Sequence, residues 1–321
     1  MIGVLLTNLG TPDSPEPKAV RAYLKQFLSD PRVIEIPTLV WQPILRGVIL
    51  RTRPKKSAHA YKLVWSEEGS PLAAITARQA KALQVALPDV RVDYAMRYGR
   101  PAIADGIAAL KAEGCDRILL APLYPQYCAA TTATANDAAF AQLASMRWQP
   151  AVRTLPPYYA DPAYIAALKG SVEASLAGLD FEPEAIVASF HGMPERTRTL
   201  GDPYYDQCLA TARLLSEALG RELVVAFQSR FGRAKWLGPA TDVTLAGLPA
   251  KGVKRVAIVA PGFSADCLET LEELAIRGRE TFLDAGGTDF AYLPCLNDSG
   301  PGMAMLRTVV ARELAGWLKA S

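Results

Sequence analysis

Histidine is nearly absent from this sequence: His59 and His191 are the two imidazoles in 321 residues. No histidine pair at helical spacing exists, so a zinc-protease helix has no basis. An excess of charge of one sign is lacking too. Thirty-five Lys and Arg against 32 Asp and Glu leave a net +3, which gives no broad basic face for nucleic acid. Cysteine occurs at 115, 128, 208, 267 and 295. The number is odd and no pair is CxxC, so a disulfide framework is not expected and a reducing cytoplasm fits better. No run of 18 or more apolar residues occurs, hence no transmembrane helix is expected. The opening MIGVLLTNLG lacks a basic segment before its apolar run, so no cleavable signal peptide is expected. A GxGxxG after the first strand, a P-loop and a GxSxG elbow are all missing, which removes dinucleotide binding, P-loop chemistry and the α/β-hydrolase nucleophile.

What is present is an ordinary globular composition, 50% hydrophobic and 21% charged, in a length that suits about two domains. Short β-branched runs alternate with helical stretches. Strands are predicted at Ile2–Asn8, Val90–Arg97, Arg117–Leu123 and Ala151–Leu155, then at Ala185–Phe190, Glu222–Gln228, Arg255–Ala260 and Phe290–Pro294. Helices are predicted around 17–28, 72–87, 101–113, 161–177, 204–219, 266–284 and 303–318. Alternation of this kind implies parallel sheets with right-handed crossovers. The fold class is therefore α/β, with two similar doubly wound, Rossmann-like domains, each a four-stranded parallel sheet flanked by helices. The prolines at 156, 157 and 162 mark the hinge, giving domains 1–155 and 156–321, with the last helix expected to pack back on the first half. Three motif pairs recur in order and suggest a duplication. Thr7-Asn8-Leu9-Gly10-Thr11-Pro12 matches Ser189-Phe190-His191-Gly192-Met193-Pro194, Gly114–Arg117 before ILLAP matches Gly252–Arg255 before VAIVAP, and Arg97-Tyr98-Gly99 matches Arg230-Phe231-Gly232.

Two places carry candidate chemistry. His191 falls at the carboxyl end of a strand, where open α/β sheets bind ligands; the alternative is an idle, hydrogen-bonded histidine. Ala260–Arg277 follows another strand, with Gly262 and Ser264 opening a helix and Asp266 near its start. Glu269, Glu273 and Arg277, four apart, share one helical face. Carboxylates with one imidazole suit a divalent ion such as Fe2+ and proton transfer near neutral pH. The bland alternative is a solvated acidic face with Glu273 and Arg277 as an i,i+4 pair. An insertion at about 30–71 carries Trp41, Ile44, Leu45, Val48 and Leu50, then Arg51, Arg53, Lys55 and Lys56. It reads as a core helix with a solvated charge run, as a lip for a flat apolar ligand bearing carboxylates, or as a membrane-surface element. His59 reads as a surface helix residue.

Six stretches in order, LTNLGTP (6–12), LYPQY (123–127), SFHGMP (189–194), FQSR (227–230), KWLGP (235–239) and APGFSADCLETL (260–271), resemble ferrochelatase over residues 3 to about 298. That resemblance implies an enzyme that inserts Fe2+, its substrate ion, into protoporphyrin IX as the final step of protoheme synthesis. It implies two similar chelatase-type domains with the porphyrin clamped between them. His191 and Glu269 take the family's catalytic and metal positions, with Glu273 and Asp266 as further donors. Arg277 stands where relatives often carry a third acid, which shortens the acidic line. Leu9 occupies the position that is Tyr in the coproporphyrin-using branch and cannot ligate iron, so protoporphyrin is expected. Arg51, Arg53 and Ser70 resemble the propionate contacts, and Tyr61, Tyr124, Trp236 and Phe263 the porphyrin pocket wall. No [2Fe–2S] cluster is expected, since the sequence ends GWLKAS with no cysteine after Cys295. The expected location is cytoplasmic, with peripheral contact on the inner membrane as an option. The competing functions are a non-catalytic porphyrin or heme carrier, and a chelatase for another tetrapyrrole such as coproporphyrin III.

Overall fold

The structure, a computed structural model, describes residues 1–232 and 234–318; the last three residues of the GWLKAS end lie outside them. Two compact units emerge. One comprises Met1–Leu123, Cys128–Pro156 and residues from Leu306 on; the other comprises Tyr124–Tyr127 and Pro157–Met305.

The first unit holds a parallel sheet of β1 (Ile2–Gly10), β2 (Arg91–Tyr98), β3 (Arg117–Pro122) and β4 (Ala151–Thr154), in the order β2-β1-β3-β4. The second holds β5 (Ala185–His191), β6 (Leu223–Gln228), β7 (Arg255–Val259) and β8 (Asp289–Leu293), in the order β6-β5-β7-β8. The two orders are the same when each first strand is aligned. Continuous apolar runs produce the central strands: Val4, Leu5 and Leu6 in β1, and Ile186, Val187, Ala188 and Phe190 in β5, have no exposure. Each chain path goes one way from its central strand and then crosses to the other side. That crossing creates a switch point between β1 and β3, and another between β5 and β7.

The recurrent glycine in the repeated motif has a steric cause. Gly10 has φ +113, and a Cβ there would sit 1.7 Å from the Tyr98 carbonyl oxygen on the neighbouring strand. At Gly192 a Cβ would lie 2.5 Å from the Gln228 carbonyl oxygen, to which the Gly192 amide donates at 2.8 Å. In both sheets the central strand leaves its ladder through a backbone contact that admits no side chain.

Local signals place several helices. Asp161 accepts a bond from the Ala163 amide at 2.9 Å, with Pro162 at the first turn of helix Pro162–Ala177. Gly220, left-handed at φ 62, ends helix Tyr204–Leu219. The insertion forms three successive helical segments, Thr38–Ile44, a π-turn Leu45–Ile49, and Leu50–Val64. Trp41, Leu45 and Leu50 face inward, whereas Leu39, Val40, Ile44 and Val48 are exposed. Helices Thr134–Ala144 and Thr241–Gly247 have no counterpart in the sequence reading; the first is alanine-rich and weakly patterned.

The last turns of helix Gly300–Glu313 belong to the first unit. There the Arg153 guanidinium donates to the carbonyls of Glu313 (2.7 Å) and Ala315 (2.9 Å) and stacks 4.2 Å over Trp317. A cation on exposed helical carbonyls is favourable. Arg153→Ala should therefore lower unfolding stability by about 1–2 kcal/mol, which chemical denaturation measures.

Candidate active site

The second unit assembles its site around the carboxyl end of β5. His191 closes that strand and is half-buried. Its Nδ1 lies 2.7 Å from the Gly192 carbonyl oxygen. A carbonyl only accepts, so Nδ1 carries the hydrogen and Nε2 keeps the lone pair in the neutral ring. The Tyr204 hydroxyl donates to the His191 carbonyl at 3.0 Å and fixes the main chain from behind.

The segment after β7 is pinned by its backbone. The Pro261 carbonyl accepts from the Tyr164 hydroxyl (2.7 Å) and the Gln126 amide (3.1 Å). Half-buried Phe263 packs on the second unit's core. Glu269 then opens a ten-residue π-helix, Glu269–Gly278. The sequence reading assumed ordinary helical winding here, beginning near Asp266. Instead, Asp266 precedes the helix, 6% exposed. Its carboxylate accepts from the Tyr292 hydroxyl, the Thr270 hydroxyl (2.9 Å) and the Asn297 amide (2.7 Å). These three neutral donors tie Asp266 to the scaffold.

In a π-helix the near neighbour is five residues on rather than four. Arg277 accordingly forms a two-point pair with Glu272, at 2.8 and 2.9 Å, and stands 3.8 Å from Glu273. The i,i+4 pair read from spacing is thus the weaker contact. Burial alone would lower the Arg277 pKa, but the bond to Glu272 and the charges of both glutamates raise it. Glu273 turns to the end of β6, where Ser229 donates its amide (2.8 Å) and hydroxyl (2.6 Å).

His191 and Glu269 are connected through one residue. Gln228 is the ladder partner of His191, and its Nε2 donates to the Glu269 carbonyl at 2.7 Å. The Glu269 carboxylate meets a group that sequence reasoning missed, the Cys267 thiol. Burial pushes that thiol well up, and the Glu269 charge and hydrogen bond add to the shift, so the thiol stays protonated as a donor. The pattern Cys-x-Glu before the helix was the available signal. Trp236 pairs antiparallel with Pro194 beside His191, and its indole Nε1 is buried without a partner. Tyr124 is half-buried at the start of the YPQY segment.

The arrangement is that of a strand-end imidazole and a helix-borne carboxylate set at a sheet's switch point. The Ferrochelatase family model matches residues 1–314. The chain belongs to the ferrochelatase family. That family is an enzyme family that inserts Fe2+ into porphyrin. The ferrochelatase of Rhizobium meliloti (strain 1021) is 56% identical over 99% of this chain and 96% of its own length. That of Bradyrhizobium diazoefficiens is 55% identical over 99% and 94%. Among solved structures, SirB from Bacillus subtilis with Fe3+ aligns at TM-score 0.60 and 13% identity, over 98% of this chain and 96% of its own. CbiX, the terminal enzyme for biosynthesis of siroheme in denitrifying bacteria, aligns at 0.54 and 14%, over 98% and 99%. At such identities these two show a shared chelatase-type fold.

The remaining residues that the ferrochelatase resemblance singled out lie in the first unit. Leu9 is the half-buried penultimate residue of β1. Ser70 is buried and accepts from the Thr11 hydroxyl at 2.8 Å. Tyr61 is buried edge-on to Trp65. Arg51 is exposed, while Arg53 is half-buried and its pKa is lowered by burial. A cavity of about 660 Å³ in this unit is lined by Lys25, Asp30, Arg32, Arg97 and Asp137 among others. Two ion pairs lie within it, Asp30 with Arg97 and Arg32 with Asp137, and none of the selected site residues lines it. Among the described residues no group of three or more His, Cys, Asp and Glu forms a ready metal cage. An enzyme that must hand its ion to a porphyrin needs loose oxygen and nitrogen ligands rather than a closed cage.

Proposed function

We propose that this protein inserts Fe2+ into protoporphyrin IX to give protoheme, with His191 and Glu269 as the catalytic pair. The observation that carries this reading is the linkage of the His191 strand end to the Glu269 helix through Gln228. Insertion of Fe2+ into the free base releases two pyrrole N–H protons. The free Nε2 of His191 accepts one, and the carboxylate of Glu269 takes the other or holds the arriving ion. Glu273, whose two oxygens accept from Ser229, supports Glu269 from one turn further along the helix. Asp266 acts behind the site through its bonds to Thr270 and Asn297. Leu9, Arg51, Arg53, Tyr61, Ser70, Tyr124, Trp236 and Phe263 are assigned to the porphyrin: apolar and aromatic side chains to the ring, the arginines and Ser70 to the propionates. A macrocycle held bent presents nitrogen lone pairs to the metal, a form of transition-state complementarity.

The chemistry calls for a base, oxygen ligands and a held macrocycle, and for no [2Fe–2S] cluster. The described residues contain no helix long and apolar enough to cross a membrane. Exposed Leu39, Val40, Ile44 and Val48 beside Arg46 and Arg51 support a cytoplasmic enzyme that touches the inner-membrane surface to collect its apolar substrate.

An anaerobic spectroscopic insertion assay tests the assignment. Turnover of Fe2+ with protoporphyrin is expected, and tight heme binding without turnover would make the protein a carrier. Run side by side, protoporphyrin should exceed coproporphyrin III in kcat/KM by at least about tenfold, a difference of roughly 1.4 kcal/mol. The apolar, non-ligating Leu9 side chain offers nothing to coproporphyrin's branch-specific chemistry. Equal or reversed preference would overturn the substrate reading.

A further inference from the structure

We propose that Gln228 and Ser229, at the carboxyl end of β6, are positioning residues that set the aim of the acidic helix relative to His191. This rests on the reading that His191 and Glu269 carry the insertion.

Gln228 is 3% exposed, Ser189 is fully buried and Thr241 is 3% exposed. The Ser189 hydroxyl donates to Gln228 Oε1 at 2.8 Å and lies 2.8 Å from the Thr241 hydroxyl. Ser189 has one hydrogen and gives it to Gln228, so Thr241 donates to Ser189. The amide orientation of Gln228 is thereby fixed, and its Nε2 must point at an acceptor, which is the Glu269 carbonyl at 2.7 Å. The result is a one-directional chain, Thr241 to Ser189 to Gln228 to Glu269, in which each donor is spent once. It starts on a helix, passes through β5 two residues before His191, and ends on the first residue of the π-helix.

Ser229 completes the clamp. Its φ is 66, the left-handed region that L residues seldom occupy. That conformation brings its amide and its hydroxyl onto the two carboxylate oxygens of Glu273. Two consecutive residues thus hold the main chain of Glu269 and the side chain of Glu273. Glu273 has both oxygens engaged by Ser229; the Gln228 clamp on Glu269 is to its carbonyl, and its carboxylate meets the Cys267 thiol, a weak donor that an arriving ion or proton can displace. We assign Glu273 to orientation of the helix, with Glu269 as the acid that meets the substrate.

Three variants test this: Gln228→Met, Gln228→Glu and Ser229→Gly. Each is read by melting temperature, by kcat and KM for protoporphyrin with Fe2+, and by the pH dependence of kcat. Gln228→Met should fall about 10- to 100-fold in kcat with little change in KM, because a misaimed catalytic group costs rate rather than binding. Gln228→Glu makes both bonds when protonated. Buried, its carboxyl titrates above the ordinary range, so its kcat relative to the parent protein should recover as pH is lowered from about 8.5 to about 6.5, beyond any change in the folded fraction. Ser229→Gly keeps the amide and the φ but loses the hydroxyl, and should show a smaller fall in kcat. Parental kcat in folded Gln228→Met, or a rise in KM with kcat intact, overturns the proposal. If the parent protein itself fails to insert iron, the functional reading has failed instead.

Discussion

His191→Ala is expected to lower kcat for iron insertion by about 10²- to 10⁴-fold, the range for loss of a general base, without a shift in melting temperature. The fold has little stake in the ring. Its visible side-chain bond runs to the adjacent Gly192 carbonyl, and the strand's main chain is held by the β6 and β7 ladders and by Tyr204. Removing the imidazole thus takes away the Nε2 lone pair and leaves the scaffold. The loss should fall on kcat more than on KM for protoporphyrin, since the bound ring is assigned to other side chains. Retained turnover in the folded variant would refute the assignment of His191. The companion change Glu269→Gln keeps size and removes charge, and belongs in the same assay.

Asp30→Ala is expected to cost about 3–5 kcal/mol of unfolding stability, the usual result of stripping one partner from a buried ion pair. Asp30 is 8% exposed. It accepts from Arg97 (2.5 Å), Tyr98 (2.8 Å) and Thr134 (2.5 Å), tying the end of β2 to two helices of the first unit. Truncation leaves the Arg97 guanidinium, with 19% of its side chain exposed, without its counter-charge. Burial alone would raise the Asp30 pKa, but the bonds from Thr134, the Arg32 amide and Tyr98, with the Arg97 charge, bring it below the ordinary value of 3.8. A carboxyl with a lowered folded pKa contributes stability above its unfolded pKa and loses it as pH falls through the folded one. The parent protein should therefore lose stability toward acid below about pH 4, and Asp30→Ala should show a shallower acid limb. Denaturant melts at neutral and acid pH check both; an unchanged midpoint at neutral pH would sink the argument.

Much of the architecture is legible in residue order. All eight strands fall on apolar runs, most of which end at or next to Gly or Pro, and the like motifs at 7–12 and 189–194 correspond to equivalent positions in sheets of the same strand order. The lone strand-end histidine and the Glu269 motif were likewise visible. The Thr134–Ala144 helix was not, because its small residues give no 3.6-residue stripe to read. The insertion at 30–71 was half-visible: its apolar residues stand out, but which of them face inward depends on neighbours distant in the chain.

By itself the sequence determined the duplicated α/β halves, the family and the chemical character of its chosen residues, because strands, turns and motifs are written in local periodicity and steric need. Only the tertiary structure decided that the acidic helix winds as π, that Arg277 pairs with Glu272, that Asp266 is spent on three neutral donors, and that Gln228 ties His191's strand to Glu269. Those facts depend on side chains meeting across 26 to 41 residues of chain or on a non-standard helical period. No local pattern encodes either one, because it is packing that selects the partner and the winding together.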